Sequence, residues 1–266
     1  MKILIQVIVL VLFANAPDAF AGSRSTQNVI LDPQEVVKFS KDVEKYAASK
    51  GARAFIISRL GTPKSELPEG IHFTHTAVAV YSTIQLSDGK TVQGYAIHNL
   101  YQDSEDSKYS SIHVDYPVDF FWGALELKAG IIIPTPELQQ LLVENIANSK
   151  HLDLHNPNYS LLSNPFNSQF QNCTEYILDV INASIYQTTD KQQIKANTQA
   201  HFKAKRIKRS LKLLLGRILK DDLTAKDHGR KIYTATFTTI GQYLQNNKLS
   251  SNFIVLKQDG TITELM

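Results

Sequence analysis

A single cysteine in 266 residues excludes an intrachain disulfide and any multi-cysteine zinc or iron–sulfur site. No stretch reaches 18 consecutive apolar residues, so none has the length of a membrane span. Basic residues exceed acidic ones by only three charges, 28 against 25, which is too mild a bias to make nucleic acid the main partner. Twelve glycines and nine prolines, without a period, exclude collagen-like and low-complexity chains. The chain also lacks Gly-x-Ser-x-Gly, His-Glu-x-x-His, the phosphate-binding loop and Gly-x-Gly-x-x-Gly. Elbow-type serine hydrolases, zincins and nucleotide enzymes therefore lose support. His72 and His75, three apart in a β-rich run, point to opposite faces of a strand with no carboxylate at ligand spacing. Neither a metal nor a cofactor is expected.

What the chain does contain begins with an export pattern. Lys2 precedes an apolar run from Ile3 to Phe13, and Ala19-Phe20-Ala21 is a small-residue cleavage pattern. This predicts a signal peptide at 1–21, cut after Ala21, and a periplasmic or secreted protein whose residues 22–266 form one domain. In an oxidising compartment an unpaired thiol is a liability unless it is buried, paired between chains, or used.

Periodicity predicts a helix over 33–50, a strand over 52–60 and a Gly- and Pro-punctuated loop over 61–70. Two β-rich runs, 73–86 and 93–101, flank an Asp88-Gly89 turn signal and read as a hairpin. A strand at 130–134 and a helix at 136–147 follow, and then an ordered loop at 151–171 pinned by aromatics. A buried helix spans 173–185, with Cys173, Tyr176, Ile177, Val180, Ile181 and Ser184 on one face. A strand-like run at 232–237 and a hairpin of 253–257 with 261–265 close the chain. Between the 173–185 helix and the 232–237 run, residues 195–220 carry nine Lys and Arg and no acidic residue, with an amphipathic stripe of leucines. That segment is either a helix packed by its Leu face or a contact for an anionic membrane surface.

Cys173 is the strongest chemical feature. It opens the 173–185 helix behind an Asn172 cap, where the macrodipole and free N–H groups lower a thiol pKa and face a developing oxyanion. The opposing reading is an inert core cysteine. A thiolate needs a base, and eight histidines are present. The hairpin brings His75 near His98, or near Asn99 on the opposite face, the arrangement of a base held by a second polar group.

FTHTAVAVY (73–81) and QNCTEYILD (171–179) together resemble a circularly permuted papain-like fold, with His ahead of Cys, related to the NlpC-type peptidases and to the lecithin retinol acyltransferase-like branch. More closely, SRLGTP (58–63), GYAIHNLYQ (94–102), GIIIPTPELQQLL (130–142) and NYSLLSNPFNSQFQNCTEYIL (158–178) resemble an uncharacterised bacterial family, domain of unknown function number 2145. The resemblance implies an α+β fold with a small antiparallel sheet packed on the Cys-bearing helix. It implies Cys173 as nucleophile, His75 as base, and His98 first or Asn99 second as the third polar residue. Thr-Glu-Tyr follows the cysteine where the acyltransferase branch has Glu-His-Phe, which weakens the case for an acyltransferase substrate. The expected function is an exported cysteine hydrolase or transferase acting on an amide or ester carbonyl. A cell-wall peptide amide is the first substrate class and a lipid ester or thioester the second. The alternative is a non-catalytic envelope binding or structural protein that keeps the fold.

Overall fold

The structure is a computed structural model and describes residues 31–85, 88–208 and 224–265. The expected signal peptide, and residues 209–220 of the basic stretch, lie outside the described residues.

The N-terminal helix α1 (Pro33–Ser49) starts at an Asp32 cap whose carboxylate accepts the Gln34 N–H, with proline in the first turn. Strands β1 (Ala54–Arg59), β2 (His75–Gln85), β3 (Thr91–Gln102) and β4 (Ser110–Asp115) follow. Helix α2 (Pro117–Trp122), strand β5 (Lys128–Pro134) and helix α3 (Pro136–Ala147) come next. The cysteine helix is α4 (Cys173–Tyr186), and α5 (Lys191–His201) returns against it. Strands β6 (Lys205–Ile207) and β7 (Ile232–Thr234), helix α6 (Phe237–Asn246) and the hairpin β8 (Ser250–Lys257) with β9 (Ile262–Glu264) complete the described chain.

The main sheet is not small. It has seven strands in the order β4-β3-β2-β1-β5-β8-β9, and every neighbouring pair is antiparallel. Both faces are covered. Phe55, Ile57, Ala77, Ala79, Ile97 and Ile131 share one cluster with Val36, Phe39 and Val43 of α1 and with Phe120 and Phe121 of α2. Ile56, Val78, Val80, Leu100 and Ile132 share the other with Leu138 and Leu142 of α3, Cys173 to Ile181 of α4, and Ile240 and Leu244 of α6. Two covered faces explain why β1 is buried along its whole length, an uninterrupted apolar run instead of alternation.

Several sequence expectations need correction. Residues 117–122 and 110–115 form α2 and β4, neither of which was anticipated. Residues 195–201 belong to α5, and 205–207 form β6, so the basic stretch is not one continuous helix. Phe237 begins α6 behind the Thr236 cap instead of ending a strand. Helix α4 is buried all round from Cys173 to Ser184, not along a single stripe. It lies between the sheet and α5, and Lys195 of α5 forms ion pairs with its Glu175 at 2.7 Å and Asp179 at 2.8 Å.

Candidate active site

The hairpin expected from Asp88-Gly89 is present, and its register decides the site. Val78 pairs with His98, and pairing runs outward from there to Gln85 and Thr91. Inward of Val78 the two strands part. Residues 75–77 of β2 stay paired with β1 only, and residues 99–102 of β3 stay paired with β4 only. The β3-facing backbone of β2 is therefore unladdered around His75, and its polar groups need other partners.

Cys173 fills that gap. Its Sγ donates to the carbonyl of Thr74 at 3.7 Å, and the Thr76 N–H points at the same sulfur. Thr174 Oγ1, 3.9 Å from the sulfur, donates to Thr76 Oγ1 at 3.2 Å. The thiol is thus pinned to the backbone on both sides of His75. The Asn172 side chain caps α4 by accepting the Glu175 N–H at 2.9 Å. It also donates to Leu161 O at 3.1 Å, which ties the cap to the loop before it. Asp227 holds that loop in turn, accepting from the Asn164 N–H at 2.7 Å.

His75 is fully buried, and its Nε2 is 2.8 Å from Asn99 Oδ1. The Asn99 amide donates through Nδ2 to Ile97 O and His113 O, both at 3.2 Å, so Oδ1 is the atom left facing the ring. Nε2 therefore carries the proton, and Nδ1 is an acceptor; it is buried and has no hydrogen-bond partner among the described residues. Tyr101 stacks flat on the imidazole with centroids 4.7 Å apart, and its hydroxyl donates to Asp115 at 2.5 Å. Burial, then the Arg59 charge, pulls the His75 pKa down to about 3, so the ring is neutral at ordinary pH.

Asn99, not His98, is the partner of His75. One residue changes faces in a strand. Asn99 shares its face with Ala77 and His75, whereas His98 shares the α4 face and makes an edge contact with His151 at 5.2 Å. Burial, with a contribution from His151, lowers His98 to about 4.

The thiol departs from expectation. Burial pushes the Cys173 pKa up, outweighing the N–H groups, the Thr174 hydroxyl and the Arg59 charge that pull it down. At rest the thiol and the imidazole are both uncharged, and no hydrogen bond joins them. Sequence reasoning also missed Arg59 and Tyr101. Arg59 pairs with His75 across β1 and β2, and its guanidinium carbon is 5.2 Å from the Phe120 ring and 6.0 Å from the Tyr101 ring. The signal for it was an arginine at the end of an apolar strand, AFIISR, where a charge has no solvent to reach. Among the described residues no group of three His, Cys, Asp or Glu is placed to hold a metal, and no helix is long and apolar enough to cross a membrane.

The family model for an uncharacterised protein conserved in bacteria, domain of unknown function 2145, matches residues 46–244, and the chain belongs to that family. No curated protein and no solved structure matches the chain.

Proposed function

We propose that this member of an uncharacterised bacterial family is a thiol-dependent hydrolase or transferase acting on an amide or ester carbonyl, with Cys173 as nucleophile, His75 as base and Asn99 as the residue that orients the base. The observation that carries the reading is the state of His75. Its Nε2 is engaged by Asn99, and its Nδ1 is left open beside the strand segment that binds the Cys173 thiol. A neutral imidazole with a free Nδ1 is the form that accepts a proton. The succession of His on one strand, Asn on the next and Cys at a helix start supports a circularly permuted papain-like arrangement.

In this mechanism the Cys173 S–H proton passes to His75 Nδ1 as the sulfur attacks the carbonyl carbon. A C–S bond forms, and the carbonyl electrons move to oxygen. The N–H groups of Cys173 and Thr174, in the first turn of α4 where backbone donors have no intrahelical acceptor, supply the oxyanion donors in this reading. Collapse expels the amine or alcohol, which takes the proton from His75. Water or a second acceptor then cleaves the thioester. Asn99 fixes the tautomer throughout. Because the resting pair is uncharged, substrate binding must bring the proton transfer with it. The N-terminal export pattern supports a periplasmic or secreted setting, where a cell-wall peptide amide is the first substrate class and a lipid ester the second, by analogy of fold alone.

One observation favours the non-catalytic alternative: Cys173 is only 5 % exposed, and burial raises its pKa. Alkylation by iodoacetamide across pH separates the two readings. The enzyme predicts that Cys173 in the folded protein reacts at a rate that drops sharply in His75→Ala. A thiol that reacts only after unfolding, or equally fast in both proteins, overturns it.

A further inference from the structure

Arg59 is 4 % exposed, and its Nε and Nη1 are buried without an acceptor among the described residues. A guanidinium does not shed its proton in a protein, so this is a buried cation with open donors. Leaving such a charge unpaired costs several kcal/mol, and a chain that needed only bulk there would be better served by an apolar residue. Asp115 does not satisfy these donors: its charge acts on Arg59, but it accepts the Tyr101 hydroxyl and no hydrogen bond or ion pair joins it to the guanidinium. The chain nevertheless makes room for the group: a Cβ on Gly123, at the end of α2, would stand 1.7 Å from Nη1.

Its position relates it to the thiol. The Arg59 carbonyl accepts the Thr74 N–H at 3.0 Å, and the Thr74 carbonyl accepts the Cys173 S–H at 3.7 Å. One residue therefore links the Arg59 backbone to the sulfur, and the guanidinium charge acts on the thiol. The rings of Phe120 and Tyr101 lie against the guanidinium and restrain its plane. A planar cation with open donors matches a carboxylate, which accepts two parallel N–H bonds.

We infer that Arg59 is the receptor for a carboxylate on the molecule Cys173 attacks, so that the substrate is an acyl compound bearing a carboxylate close to its scissile carbonyl. This rests on the reading of Cys173 as a nucleophile, and it narrows the substrate class to anionic peptides or acids.

Iodoacetate and iodoacetamide differ only in carboxylate against carboxamide, and the ratio of their rates cancels the thiolate fraction common to both. In the wild-type full chain the iodoacetate-to-iodoacetamide ratio at Cys173 should exceed that of the urea-unfolded chain by about tenfold, equivalent to ~1.4 kcal/mol. In Arg59→Gln the ratio should fall to the unfolded value. Acetate should slow wild-type alkylation by iodoacetamide more than inorganic phosphate at equal ionic strength. A folded wild type that reacts readily with a ratio no higher than the unfolded chain overturns the receptor and leaves the nucleophile standing. Phosphate protecting as well as acetate overturns the carboxylate assignment. A folded chain inert to both reagents overturns the nucleophile, and the receptor with it. The wild-type measurements decide the matter even if Arg59→Gln does not fold.

Discussion

Asn99 Oδ1 meets His75 Nε2 at 2.8 Å although the two residues belong to strands that have already separated. The separation allows both interactions. A ladder continued past Val78 would consume the Thr74 and Thr76 backbone groups that now face the Cys173 sulfur. Helix α4 covers one sheet face, while His75 and Asn99 project from the other. The gap is where a thiol from the first side comes level with the strand that carries the histidine.

Asn99→Ala should slow Cys173 alkylation or turnover by about 10²-fold, because the imidazole loses the partner that fixes its proton on Nε2. His98→Ala should stay within a few-fold of wild type, since its ring faces His151. Rates of both variants, measured with circular dichroism to confirm folding, check this; a larger loss in His98→Ala would reverse the assignment.

Stability should fall as pH drops from about 6.5 towards 4. Burial holds His75 at about 3 and His98 at about 4 in the folded chain, whereas both take up protons near 6.5 when unfolded. Between those values the unfolded state binds more protons, so acid favours unfolding, by up to roughly 1.4 kcal/mol per pH unit for each ring. Urea midpoints at pH 7, 5.5 and 4.5 measure it, and His98→Gln should flatten the dependence by up to one proton.

Lys195→Met should destabilise the fold by about 3–5 kcal/mol, because it strands Glu175 and Asp179 as buried carboxylates without their cation. Replacing all three by apolar residues of similar volume should recover most of the loss. Equilibrium urea unfolding of the single and triple variants tests this; a single variant as stable as wild type would contradict it.

Gly123→Ala should cost about 1–3 kcal/mol, as the added methyl displaces a guanidinium enclosed by Phe120 and Tyr101. Combining it with Arg59→Gln should give less than the sum of the separate losses, since the shorter side chain relieves the clash. A double-mutant cycle by thermal unfolding reads the coupling.

The order of elements was largely legible in the chain itself. Helix α1 announced its Pro33 in the first turn, the hairpin its Asp88-Gly89 turn, and α4 its Asn172 cap, because these signals are local and act within a few residues. The same locality made Cys173 and His75 identifiable as candidates. β4 and α2 escaped notice: each is six residues long, too short for a period to show.

Sequence by itself determined that one thiol opens a capped helix, that a histidine leads a β-rich run, and that a polar residue waits on the next strand. Only the tertiary structure decided that Asn99 and not His98 faces that histidine, since the choice turns on a one-residue register that no local preference encodes. It also decided that the thiol is sealed and its pKa raised, and that Arg59, whose charge acts on it, is buried with open donors. Burial and charge proximity arise only when distant segments are folded together, and here they outweigh the helix dipole that the sequence alone brings into view.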